Sequence, residues 1–152
     1  MFLDSLLLLS DAQAFTATGF STNTIDLGNV TPKNEIGAGE PMEVTVTVDV
    51  AADFTSTDET YRFDLVTSAN ANLSSPTIIN QRSVLASGGA ASLLAAGRDI
   101  HLPVPKGAVL QRYLGLQLTL AGTTPSITIT AMLQPQSMDE ARKDYAKGYT
   151  IS

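Results

Sequence analysis

The chain has 152 residues, 43% of them apolar, and 15 acids against 9 bases give it a net charge of −6. That length suits a single domain whose core needs no covalent staple. The lack of cysteine excludes thiolate zinc sites, iron–sulfur clusters, thiol catalysis and disulfide switching, and the acidic balance opposes nucleic-acid binding, which relies on clustered Lys and Arg to neutralise phosphates.

The opening MFLDSLLLLSDAQA has the outline of a secretory signal, but such a signal needs a positive start and an apolar core of about 7–15 residues. Here Asp4 stands where the cation belongs, no Lys or Arg precedes Lys33, and the leucine run at 6–9 stops at Ser10. Four leucines also fall far short of the roughly 20 apolar residues that a membrane helix requires. Residues 1–11 therefore read as a sticky arm that the protein keeps. Its Phe2, Leu3, Leu6, Leu7, Leu8 and Leu9 either meet a neighbouring chain or fold back over their own domain.

Short strand candidates follow around residues 15–18 and 23–27. The clearest periodicity is two: Met42, Val44, Val46, Val48 and Val50 alternate with Glu43, Thr45, Thr47 and Asp49, which describes a strand with one dry and one wet face. The same alternation recurs at Tyr61, Phe63 and Leu65; at Ile100, Leu102 and Val104; at Leu114, Leu116, Leu118 and Leu120; and at Ile127, Ile129, Ala131 and Leu133, with a shorter candidate at residues 77–80. TPKNEIGAG, SANANLSSP, ASGG and AGTTPS supply turn chemistry between the runs. Near the C-terminus, Ser137 and Glu140 form a capping box ahead of DEARKDYAK, with a stop at Gly148.

One-sided alternation favours antiparallel sheets. The expected fold is all-β: a jelly-roll-like antiparallel sandwich of about eight strands with short terminal arms and one short C-terminal helix. The chain reads as one domain over residues 1–152, with an arm at 1–11, the sandwich at 12–135 and a tail at 136–152. Its core is expected to take Val44, Val46, Val48, Phe63, Leu65, Leu116, Leu118, Ile127 and Ile129.

Chemistry-bearing patterns are sparse. His101 is the sole histidine, and Asp99 shares its face of the strand, but no G-x-S-x-G elbow is present; an exposed pair is expected. Asp49, Asp53, Asp58 and Glu59 offer oxygens for calcium without the spacing of an EF-hand loop, and a solvated loop accounts for the same letters. No residue is assigned a catalytic, metal or cofactor role, and the chain reads as no enzyme. Tyr61 and Tyr113 lie in or beside strands and are expected to pack there. Tyr145 and Tyr149 sit in the tail, where burial has to come from docking. Residues 1–64 carry a net −9 and residues 65–152 a net +3, a contrast that either steers docking or averages out where the halves interleave.

The runs SDAQAFTATGFSTNTIDLG, TSANANLSSPTII, LPVPKGAVLQRYLGLQLTLAG and YAKGYTIS together resemble the capsid cement (decoration) proteins of tailed bacteriophages, of the Bordetella-phage type. The resemblance implies a jelly-roll structural protein on the outer surface of the virion, assembled in the host cytoplasm. Such a protein binds the major capsid protein, bridges neighbouring coat subunits and stabilises the shell. Its implied partners are that protein and further copies of itself, as dimer or trimer, with no direct nucleic-acid or membrane contact and no cofactor. The interface residues expected are the arm's Phe2, Leu3, Leu6, Leu7, Leu8 and Leu9 with Tyr145 and Tyr149. The alternative is a carbohydrate-binding sandwich module, which an exposed aromatic strip would reveal.

Overall fold

The computed structural model describes residues 6–28, 41–85, 90–105 and 107–135. Among them the chain forms β1 (Leu8–Phe15), β2 (Gly19–Phe20), β3 (Ile25–Asp26), β4 (Met42–Val50), β5 (Thr60–Ser68), β6 (Thr77–Leu85), one helical turn α1 (Ala90–Leu93), β7 (Asp99–Pro103), β8 (Tyr113–Ala121) and β9 (Ile127–Pro135). The expected C-terminal helix, Phe2, Leu3, Tyr145 and Tyr149 lie outside the described residues.

Two antiparallel sheets result, with strand orders β1-β9-β4-β7 and β2-β8-β5-β6, and β3 also pairs with β8. Gly19 and Phe20 lie opposite Leu118 and Gln117, and Ile25 and Asp26 lie opposite Leu114 and Tyr113. β2 and β3 are thus two pieces of one strand line along β8. Between them the backbone turns aside, with Ser21 N donating to Leu116 O and Asn23 N to Leu9 O. With that line counted once, the pairs β1·β9, β2/β3·β8, β4·β7 and β5·β6 nest like a folded-over hairpin, which is the jelly-roll arrangement.

Alternation decided the core. All nine residues expected there are at most 2% exposed. A one-residue slip would turn each of these side chains to the opposite face, and burying each is worth about 1.5–3 kcal/mol. Tyr61 joins them. Its ring meets Phe54 edge-on at 5.2 Å, and its hydroxyl donates to Asp53 O at 2.6 Å while accepting from Ser126 N at 3.1 Å. Burial pushes the Tyr61 phenol pKa upward.

The sandwich has two ends because successive strands run in opposite directions. One end gathers the loops at 16–18, 51–59 and 122–126 with the β6–β7 connection. The other gathers the loops at 69–76 and 104–112, the entry to β1 and the exit from β9. At the first end Gly122 has φ +102°, and a Cβ there would stand 2.6 Å from Asp58 O and from Glu59 Cα. Only glycine lets the two loops approach so closely.

Three boundaries move. The sandwich begins at Leu8 rather than residue 12, because the end of the leucine run is the start of β1. The candidate at 15–18 becomes the end of β1 and a bend before β2, and the one at 77–80 extends to the nine residues of β6.

Candidate functional site

The leucine cluster divides. Leu9 is fully buried in the core, and Leu7 packs partly buried against it. Leu8, half-buried, opens β1 opposite Met132, and Leu7 O accepts from Leu133 N at 2.9 Å. Within the chain Leu7, Leu8 and Leu9 thus follow the fold-back alternative, with Leu9 in the core and Leu7 and Leu8 half-buried along the edge strand β1. A buried leucine gains more from its own core than a loose arm gains in water. Leu6 differs, at 78% exposed.

His101 also departs from expectation. It is not an exposed partner of Asp99: its Nδ1 lies 3.0 Å from Glu43 Oε1, with the imidazole 32% and the carboxylate 3% exposed. Glu43 was expected on a wet face. It occupies the central strand β4, between β9 and β7, and the same oxygen receives Thr45 Oγ1 at 3.3 Å and Gln134 Nε2 at 3.4 Å. Neighbouring polar side chains replace water there, as a buried charge requires. Asp99 instead accepts from Thr47 Oγ1 at 2.8 Å.

The acidic loop does not converge on an ion. Asp49 accepts from Thr130 Oγ1 at 2.6 Å, Asp53 from the backbone N–H and hydroxyl of Thr55, Asp58 from Thr123 N and Oγ1 at 3.0 Å, and Glu59 from Ser56 N at 3.1 Å. Among the described residues no three His, Cys, Asp or Glu side chains are grouped to hold a metal. Glu59 is fully buried, and among the described residues its Oε2 has no hydrogen-bond partner. The hydrogen bond from the Thr55 hydroxyl holds the Asp53 carboxyl below the usual range, and the one from Thr123 N does the same for Asp58.

The loop at 69–76 was read only as turn chemistry, and the structure makes more of it. Leu73, 1% exposed, folds back over the outer face of the second sheet above Gly115, where a Cβ would come within 2.4 Å of Leu73 Cδ1. Val66, fully buried, lies opposite Gly115. Ser68 Oγ donates to Ser74 O at 2.7 Å, Asn70 Nδ2 to Ser74 Oγ at 2.9 Å, Ser74 N to Asn72 Oδ1 at 3.1 Å and Leu73 N to Asn70 O at 3.0 Å. Leu73 and Ser75 have φ of 57° and 50°, a left-handed conformation costing non-glycine residues roughly 1–2 kcal/mol each. It persists where surrounding contacts over-determine it. The density of Asn and Ser in SANANLSSP marked the turn, but nothing local showed that Leu73 packs on a strand more than 40 residues away.

The fold and surface define the class: an antiparallel jelly-roll sandwich with a closed apolar core and locally braced loops at both ends. Among the described residues, the large hydrophobics that stay exposed are the aliphatic Leu6, Val50, Ile78, Leu93 and Val109. A family model, Bbp16, matches residues 9–133. The chain belongs to the Bbp16 family and is a Bordetella-phage-type protein. No curated protein matches it.

Proposed function

We propose that this protein is a non-enzymatic structural component of the virion. In this reading it binds the outer surface of an assembled phage shell and bridges neighbouring major capsid subunits, so that the shell resists rupture. The observation that carries the reading is the Bbp16 match across nearly the whole sandwich; the braced loops suit docking with little loss of conformational freedom. The protein acts as a homo-oligomer, dimer or trimer, since bridging gains avidity from linked contacts. A carbohydrate-binding module would call for an exposed aromatic platform, and the exposed large hydrophobics named above are all aliphatic.

The test adds purified protein to capsids lacking it, then follows co-sedimentation and the temperature at which shells release DNA. Saturable binding with a higher release temperature is expected. Absence of binding, or binding with no change in shell stability, defeats the proposal. Light scattering of the isolated protein reads the oligomer, and a strict monomer would remove the self-association part.

A further inference from the structure

We infer that Thr45 and Gln134 form an internal ester bond, with Glu43 as the base for the reaction, so that β4 and β9 become covalently tied. The inference goes beyond the capsid reading and stands apart from it. β4 lies between β9 and β7, and on its outward face Glu43 stands opposite Gln134 while Thr45 stands opposite His101. Thr45 and Gln134 are therefore diagonal neighbours on one face, a spacing that long side chains span.

A nucleophile, a base and a leaving group meet here. Gln134 Nε2 lies 2.5 Å from Thr45 Oγ1. The amide carbon is one bond of about 1.33 Å further on, so it lies no more than about 3.8 Å from the hydroxyl oxygen. Glu43 Oε1 accepts from both partners, from Thr45 Oγ1 at 3.3 Å and from Gln134 Nε2 at 3.4 Å. The carboxylate also fixes which side of the amide faces it, because only the NH2 group can donate. From β7, His101 Nδ1 lies 3.0 Å from the same oxygen and holds Glu43 in place. Thr45 is 8% and Glu43 2% exposed, so little water reaches the hydroxyl or the base. Fixed proximity of this kind replaces an encounter in solution, and an adjacent base is what turns a threonine hydroxyl into a nucleophile.

The step balances without a further reagent. Glu43 takes the Thr45 hydroxyl proton as Oγ1 attacks Gln134 Cδ and the new C–O bond forms. The Cδ–Nε2 bond then breaks, and Glu43 passes the proton to the departing nitrogen, which leaves as ammonia. The product is a Thr45–Gln134 ester, and escape of ammonia into solvent opposes reversal.

The intact mass of the full chain, measured after purification and again after prolonged storage at neutral pH, tests the inference. The wild type is expected about 17 Da below the mass of its sequence, one ammonia per chain. After trypsin, the peptides 34–62 and 113–142 should appear joined, and hydroxylamine should separate them. Thr45→Val and Glu43→Gln should keep the full mass, while Thr45→Ser, which retains a hydroxyl, should lose ammonia as the wild type does. Circular dichroism shows whether each variant is folded; Thr45→Val preserves the shape of the side chain and carries the test if Glu43→Gln does not fold. A wild type at full mass with the two peptides separate overturns the inference. So does an equal mass loss in Thr45→Val, which would place the lost ammonia elsewhere, and so does deamidation of Gln134 without joined peptides.

Discussion

Glu43 and His101 show how one side chain's neighbours revise its role. On β4 the glutamate occupies a wet-face position by period, yet flanking strands on both sides leave its carboxylate 3% exposed. Removing the imidazole in His101→Ala takes a donor from a buried acceptor, which costs about 1–3 kcal/mol. His101→Gln, which keeps a donor, is expected to recover part of that loss. Urea unfolding followed by circular dichroism measures both, and an alanine variant as stable as wild type would show that the contact contributes nothing. Val46, on the dry face of the same strand and fully buried, sets the other extreme. Val46→Asp buries a charge without a partner, and the protein is expected to be unfolded or insoluble at 25 °C, as read by the loss of its β-sheet dichroism.

Among the elements, β1 was the least legible strand. Its period is broken by register shifts between Leu8 and Ser10 and between Ser10 and Gln13, and Ala12 has φ 43°. Bulges of this kind suit an edge strand, because they twist its unpaired backbone away from other chains, but they erase the alternation by which β4, β5, β7, β8 and β9 were found. Leu9→Ala is accordingly expected to cost about 2–5 kcal/mol, the usual range for a fully buried leucine, seen as a lower urea midpoint. Deleting residues 1–9 should lower global stability as well, since it removes Leu9 and shortens β1. A truncated protein with wild-type stability would return these leucines to the role of a free arm. The 51–59 loop supports a prediction about pH. Asp53 and Asp58 have carboxyl pKa values depressed by their hydrogen bonds to Thr55 and Thr123. A depressed folded value means that the stabilisation is present above the unfolded carboxylate pKa of about 3.9 and is lost as pH falls through the folded value. The unfolding midpoint should therefore drop on acidification below about pH 4, and Asp58→Asn should reduce that dependence. An identical pH profile in the variant would place the acid sensitivity elsewhere.

At the scale of the molecule, the described strands of the −9 first stretch and the +3 second one do not form two separate surfaces. Each jelly-roll pair takes one strand from the early part of the chain and one from the late part, so the two interleave. Among the described residues, Asp49, Asp53, Asp58 and Asp99 gather at one end of the strands and the uncharged 69–76 loop lies at the other. The amino-acid sequence by itself determined the all-β class, the antiparallel alternation and the inward faces of β4, β5, β7, β8 and β9, because a period of two is a local property that burial then selects. Only the tertiary structure decided where the leucine run belongs, which acids are buried, and that Leu73 braces a loop against Gly115. Those depend on contacts between residues far apart in the chain, and no local pattern encodes which strand will lie beside which.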